Sequence, residues 1–110
     1  MTIQELIDSG QFEVIRAGSD PGREISGVFC CDLLSVAMGR GPEGAAWVTV
    51  MGNVNTLAVL ELTEMACIVL AEGARMDETG LAKADEEGYT ILATEEPIFE
   101  AALKIYHWGR

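Results

Sequence analysis

Few side chains in this 110-residue chain combine in ways that could do chemistry, and most of them cluster around polar breaks in apolar runs. Asp32 and Glu72 are carboxylates that could divide general acid and base work between them. Arg75 is the one cation near these breaks, so an anion bound there would use it. Gly52-Asn53-Val54-Asn55-Thr56 joins a glycine that permits close backbone approach, two amides able to cap a helix or bond a ligand, and a first-turn hydroxyl. Gly73 and Thr94 stand at two further breaks of the same kind. Each of these residues also has a plain structural use. Capping and solvation account for Asp32 and Glu72, a tight turn and helix cap for residues 52–56, and a surface pair with Asp77 or Glu78 for Arg75. His107 is the single histidine and falls in the last helical stretch, on its solvated side. Cys30, Cys31 and Cys67 form no Cys-x-x-Cys pair and read as small thiols in a reducing compartment. No metal and no cofactor are expected. The nucleotide-binding spacings G-x-x-x-x-G-K-S/T and G-x-G-x-x-G are absent, as is the G-x-S-x-G nucleophile elbow.

The elements that must position these residues follow from periodicity. Ile3, Leu6 and Ile7 share a helical face between a Thr2 cap and Gly10. Residues 12–15 alternate as a half-buried strand does, and a turn-rich link leads to a buried strand over residues 25–30. Asp32 is placed to cap a helix with Leu33, Leu34, Ala37 and Met38 on one face, ended by residues 39–44. Residues 46–51 form the central strand. It breaks at Gly52 into a helix whose apolar side is Val54, Leu57, Ala58, Leu62 and Met65. Residues 67–71 are a continuous apolar run, as in a strand covered on both faces. Asp77 caps a helix closed by Gly88, residues 89–93 form the last strand, and Pro97 opens a helix with Ile98, Phe99, Ala102, Leu103 and Tyr106 inward.

Strand, polar loop and helix recur four times at about 22-residue spacing, the signature of a mostly parallel sheet with crossover helices. The fold class is therefore α/β, a three-layer α/β/α sandwich in one domain over residues 1–110. The N-terminal strand, reached without an intervening helix, pairs antiparallel or lies at an edge. In such a sheet Asp32 and the loops after residues 51, 71 and 93 meet at the carboxyl edge, where ligands bind. Arg40 falls at the opposite edge.

Charge narrows the partners. A formal net charge of -11, from 18 acidic and 7 basic residues, repels nucleic acid and anionic membrane surfaces. No basic leader opens the chain, and no apolar run approaches the roughly 20 residues that span a bilayer. A cytoplasmic location is expected.

Ile25-Ser26-Gly27-Val28, the strand and loop over residues 47–56, Ile68-Val69-Leu70-Ala71-Glu72-Gly73 and Glu87-Gly88-Tyr89-Thr90-Ile91-Leu92-Ala93-Thr94 together resemble the DRTGG domain. The resemblance covers about residues 25 to 105. That family accompanies CBS modules in regulated pyrophosphatases and occurs in the N-terminal region of some phosphotransacetylases. Its fold is similar to the N-terminal domain of HPr kinase/phosphorylase, which lacks the kinase site. The resemblance implies a compact α/β/α fold and a regulatory, often dimerising role without catalysis. This chain departs from the naming motif, with residues 52–56 where the Asp-Arg-Thr would stand and Glu72-Gly73 in place of the Gly-Gly. The leading expectation is a non-enzymatic regulatory homodimer. It would sense a small polar or nucleotide-like ligand through Asp32, Gly52, Asn53, Asn55, Thr56, Glu72, Gly73, Arg75 and Thr94. The alternatives are a scaffold module that binds another protein and no ligand and, more weakly, an enzyme acting on a phosphorylated metabolite.

Overall fold

Apolar runs become strands and capped amphipathic stretches become helices in the computed structural model, which describes residues 1–108. The order is α1 (Ile3–Asp8), β1 (Glu13–Arg16), β2 (Gly27–Cys30), α2 (Leu34–Arg40), β3 (Ala45–Thr49), α3 (Val54–Thr63), β4 (Cys67–Leu70), α4 (Glu78–Glu87), β5 (Ile91–Ala93) and α5 (Ile98–Trp108). Local chemistry sets most boundaries. Thr2 and Glu5 form a reciprocal capping box at α1, Asn53 caps α3, and Asp77 caps α4 by accepting from the Gly80 N–H. Gly88, at φ 77°, ends α4 in the left-handed conformation.

The strands form one sheet in the order β1-β5-β4-β3-β2. Strands β2 to β5 run parallel in sequence order, and β1 joins antiparallel at the β5 edge with a register shift between Val14 and Arg16. The first strand thus meets both parts of its expectation. Side chains alternate between two cores. Ala46, Val48, Cys67 and Val69 face α1 and α5, whereas Ala45, Trp47, Ile68 and Leu70 face α2, α3 and α4. The result is the expected three-layer α/β/α arrangement. Trp47 is fully buried, a contribution of about 1.5–3 kcal/mol for a large apolar side chain.

Three helices turn differently from their predicted faces. Asp32 does not cap α2; Leu33 occupies the cap position without a side-chain bond, and Leu33 and Met38 are exposed beside a buried Ala37. In α3 the buried residues are Thr56, Leu57, Val59 and Leu60, while Ala58 and Leu62 point outward, Leu62 at 69% exposure. In α5 the sheet takes Ala101, Ala102 and Ile105, and Phe99, Leu103 and Tyr106 form an exposed stripe. All three helices are apolar on more than one side, so contact with the sheet, not periodicity, chooses the buried face.

Candidate functional site

The loops that follow β2, β3, β4 and β5 meet at the carboxyl edge of the sheet, and short hydrogen bonds lace them together. Asp32 Oδ1 accepts from the Thr49 hydroxyl at 2.6 Å and from the Val50 N–H at 2.9 Å, which ties the end of β2 to the end of β3. Asn53 Oδ1 accepts from the Asn55 N–H at 2.9 Å, and the buried Thr56 hydroxyl donates to the Met51 carbonyl at 2.7 Å. Gly52 makes the next link. Its carbonyl accepts from the Asp77 N–H at 2.9 Å, and a Cβ there would lie 1.9 Å from the Arg75 carbonyl oxygen. Only a residue without a side chain lets these two loops touch.

Beyond β4, Glu72 and Gly73 both take left-handed backbone conformations, at φ 58° and 75°. Their N–H groups donate to the Glu96 and Thr94 carbonyls at 2.8 and 3.1 Å. The Thr94 hydroxyl in turn accepts from the Glu96 N–H at 3.2 Å, and the Glu95 carboxylate lies over Gly73.

A cleft of about 210 Å³ opens beside this last junction, lined by Gly73, Ala74, Arg75, Ala93, Thr94 and Glu95 together with Gln11 and Glu13. Topology explains its place. The chain leaves β4 toward the α4 layer and β5 toward the α5 layer, and a crevice forms where neighbouring connections part. Because β1 is antiparallel, its start brings Gln11 and Glu13 to the same edge. The Arg75 guanidinium stands 3.6 Å from Glu13 Oε1, with both side chains 63% exposed. The Asp77 carboxylate is instead engaged with the Gly80 N–H at 2.7 Å, and Arg75 pairs with neither Asp77 nor Glu78.

The predicted residues therefore divide. Gly73, Arg75 and Thr94 line the cleft; Glu72 adjoins it with its side chain in solvent; Gly52 supports it from behind through the Arg75 carbonyl. Asp32, Asn53, Asn55 and Thr56 belong to the β2 and β3 ends and do not line it. Gln11, Glu13 and Glu95 are additions. Glu95 lies in a loop already placed at this edge, whereas Gln11 and Glu13 depend on the direction of β1.

The lining is short of positive charge, with one guanidinium against the carboxylates of Glu13 and Glu95. A larger hollow of about 320 Å³ at the opposite edge includes Arg23, Glu61, Glu64, Glu87 and Tyr89. There the Tyr89 hydroxyl donates to Glu61 Oε1 at 2.5 Å, and burial together with that bond pushes its pKa up. Among the described residues no three metal-ligating side chains cluster, and no helix is long and apolar enough to cross a membrane. Compared with known proteins, the chain matches no family model and no curated protein significantly.

Proposed function

We propose that this chain is a non-catalytic regulatory domain of the DRTGG kind, working as a homodimer and taking a small polar ligand in the cleft between residues 73–75 and 94–95. The observation that carries the ligand half is the Arg75–Glu13 pair at the mouth of that cleft. An exposed pair of this kind is worth about 0–1 kcal/mol, so a ligand carboxylate or phosphate can replace Glu13 at little cost. The neighbouring carboxylates favour a ligand that also carries a cationic or donor group, such as a zwitterion, over a multiply charged phosphate. A binding role is supported by how the polar atoms are used. The Asp32, Asn53, Thr56, Asp77 and Thr94 side chains hold loops together and stand in no nucleophile-and-base arrangement.

A thermal-shift panel of zwitterionic amino acids, nucleotides and phosphorylated metabolites tests the reading. A ligand at about 100 times its dissociation constant adds roughly 2.7 kcal/mol of stability. Arg75→Ala should remove the shift. If no compound moves the melting temperature, the ligand half fails. The second reading, an interaction module without a ligand, would then stand on the exposed stripe of α5, where Phe99 is 68% exposed.

A further inference from the structure

We propose that the homodimer forms through the β2 edge, with β2 of one copy pairing antiparallel to β2 of the other about a two-fold axis. Two five-stranded sheets would then run together as one. The inference rests on the dimeric reading above and gives that reading its surface.

The two edges of the sheet are unlike. The β1 edge carries the devices that keep strands apart: an irregular register between Val14 and Arg16 and charged residues at both ends. Glu13 pairs with Arg75, and Arg16 Nε lies 2.6 Å from Asp85 Oδ1. Strand β2, Gly27-Val28-Phe29-Cys30, has none of these. Its register with β3 is unbroken from Gly27↔Ala45 to Cys30↔Val48, and among the described residues it pairs with no other strand. One row of its backbone N–H and C=O groups therefore faces outward.

Charge points to the same edge. A copy of a chain with net charge -11 is repelled wherever carboxylates face each other, yet residues 25–31 contain no charged side chain. Of the acids that bracket this stretch, Glu24 pairs with the N-terminal ammonium at 3.2 Å, and Asp32 turns to Thr49 and Val50 while keeping its charge.

Both flanks of the edge are apolar. Helix α5 lies over β2, and Tyr106 lines a groove of about 170 Å³ with Ile25, Gly27, Val28 and Ile105. Phe99 lies one heptad before Tyr106 on the same side of that helix, whereas Leu103 lines a separate hollow with Gln11 and Glu96. On the other face α2 is the outermost helix, next to α3, and it exposes Leu33, Val36 and Met38. A stable interface takes about 800 Å² from each partner, more than a four-residue strand edge supplies, so these flanks must take part. A second copy meets that demand because two-fold pairing sets α5 beside α5 and α2 beside α2. A lone peptide strand would leave both flanks in water.

Sedimentation and light scattering of the full chain across the micromolar range test the surface. Wild type should reach twice 11.8 kDa. Gly27→Lys adds a charge at the open edge, and a Cβ at Gly27 meets nothing within 4 Å, so the backbone has room for a side chain there. The variant should keep the wild-type circular dichroism spectrum and run at 11.8 kDa. Val14→Lys on the opposite edge should remain dimeric, and Phe99→Glu should weaken association at least about tenfold. A dimer that persists in folded Gly27→Lys would overturn the β2 surface and leave the dimer itself intact. A wild-type chain that stays at 11.8 kDa throughout would overturn the dimer as well and leave the edge for a strand of another protein.

Discussion

A methyl group at position 52 would sit 1.9 Å from the Arg75 carbonyl oxygen, and neither loop can yield without moving the Asp77 N–H that bonds the Gly52 carbonyl. Gly52→Ala should therefore destabilise the chain by about 1–3 kcal/mol, read as a lower urea midpoint at unchanged slope. An unchanged midpoint would mean that the loops are not in contact. Cysteine chemistry divides by burial in the same local way. Cys67 has no exposed surface, and burial pushes its thiol up from 9.0 to about 12. Cys30 is exposed at the sheet edge, although partial burial and the nearby Asp32 also raise it. A thiol reagent near neutral pH should label Cys30 in the folded chain at protein concentrations where it is monomeric, and reach Cys67 only on unfolding. A folded pKa above the unfolded one gives stability that is complete below pH 9.0 and is lost as pH climbs toward about 12. Tyr89, raised by burial and by its bond to Glu61, acts in the same direction at higher pH. Urea titrations at rising pH should show a shallower alkaline loss in Cys67→Ala than in wild type, and identical slopes would remove Cys67 as a cause.

Between elements, the Asp32 carboxylate joins the β2–α2 loop to the end of β3, beside the Trp47 Nε1–H bond to the Cys31 carbonyl at 3.0 Å. Asp32→Ala takes the acceptor from the fully buried Thr49 hydroxyl, at a cost of about 1–3 kcal/mol. In a Thr49→Val background the same change should cost clearly less, and equal costs in both backgrounds would show that the two groups do not interact. From sequence Asp32 reads as a helix cap, since a carboxylate accepting a backbone N–H serves a cap and a loop clasp equally well. Asn53, Asp77 and Gly88 are legible because their partners lie within four residues. The buried sides of α3 and α5 are not. Helix α5 offers one apolar side at Ile98, Ala101, Ala102 and Ile105 and another at Phe99, Leu103 and Tyr106, and spacing alone merges them. The small Ala101 and Ala102 let the backbone lie close to the sheet, a choice made by tertiary contact. In the candidate site, Gly73, Arg75 and Thr94 are legible because loops after parallel strands share an edge. Gln11 and Glu13 join them only through the antiparallel placement of β1, and strand order leaves no local periodicity to read.

At the scale of the molecule, the acidic excess and the uncharged β2 edge make opposite demands on association. Two copies that each carry -11 repel one another at long range, while the contact between them would be backbone pairing and apolar flanks. These forces separate by their response to salt. The Debye length falls from about 30 Å at 0.01 M to about 8 Å at 0.15 M, so repulsion between carboxylates outside the contact is largely removed over that range. Backbone pairing and apolar burial are little affected by the same change. The dimer dissociation constant should therefore fall as sodium chloride rises, and sedimentation at fixed protein concentration should show the dimer fraction increase. Ion pairs across the interface would give the opposite trend, since screening weakens attraction as well as repulsion. A dimer that loosens with salt would place charged groups at the contact. It would exclude a contact made only by the uncharged residues 25–31 and the apolar sides of α2 and α5.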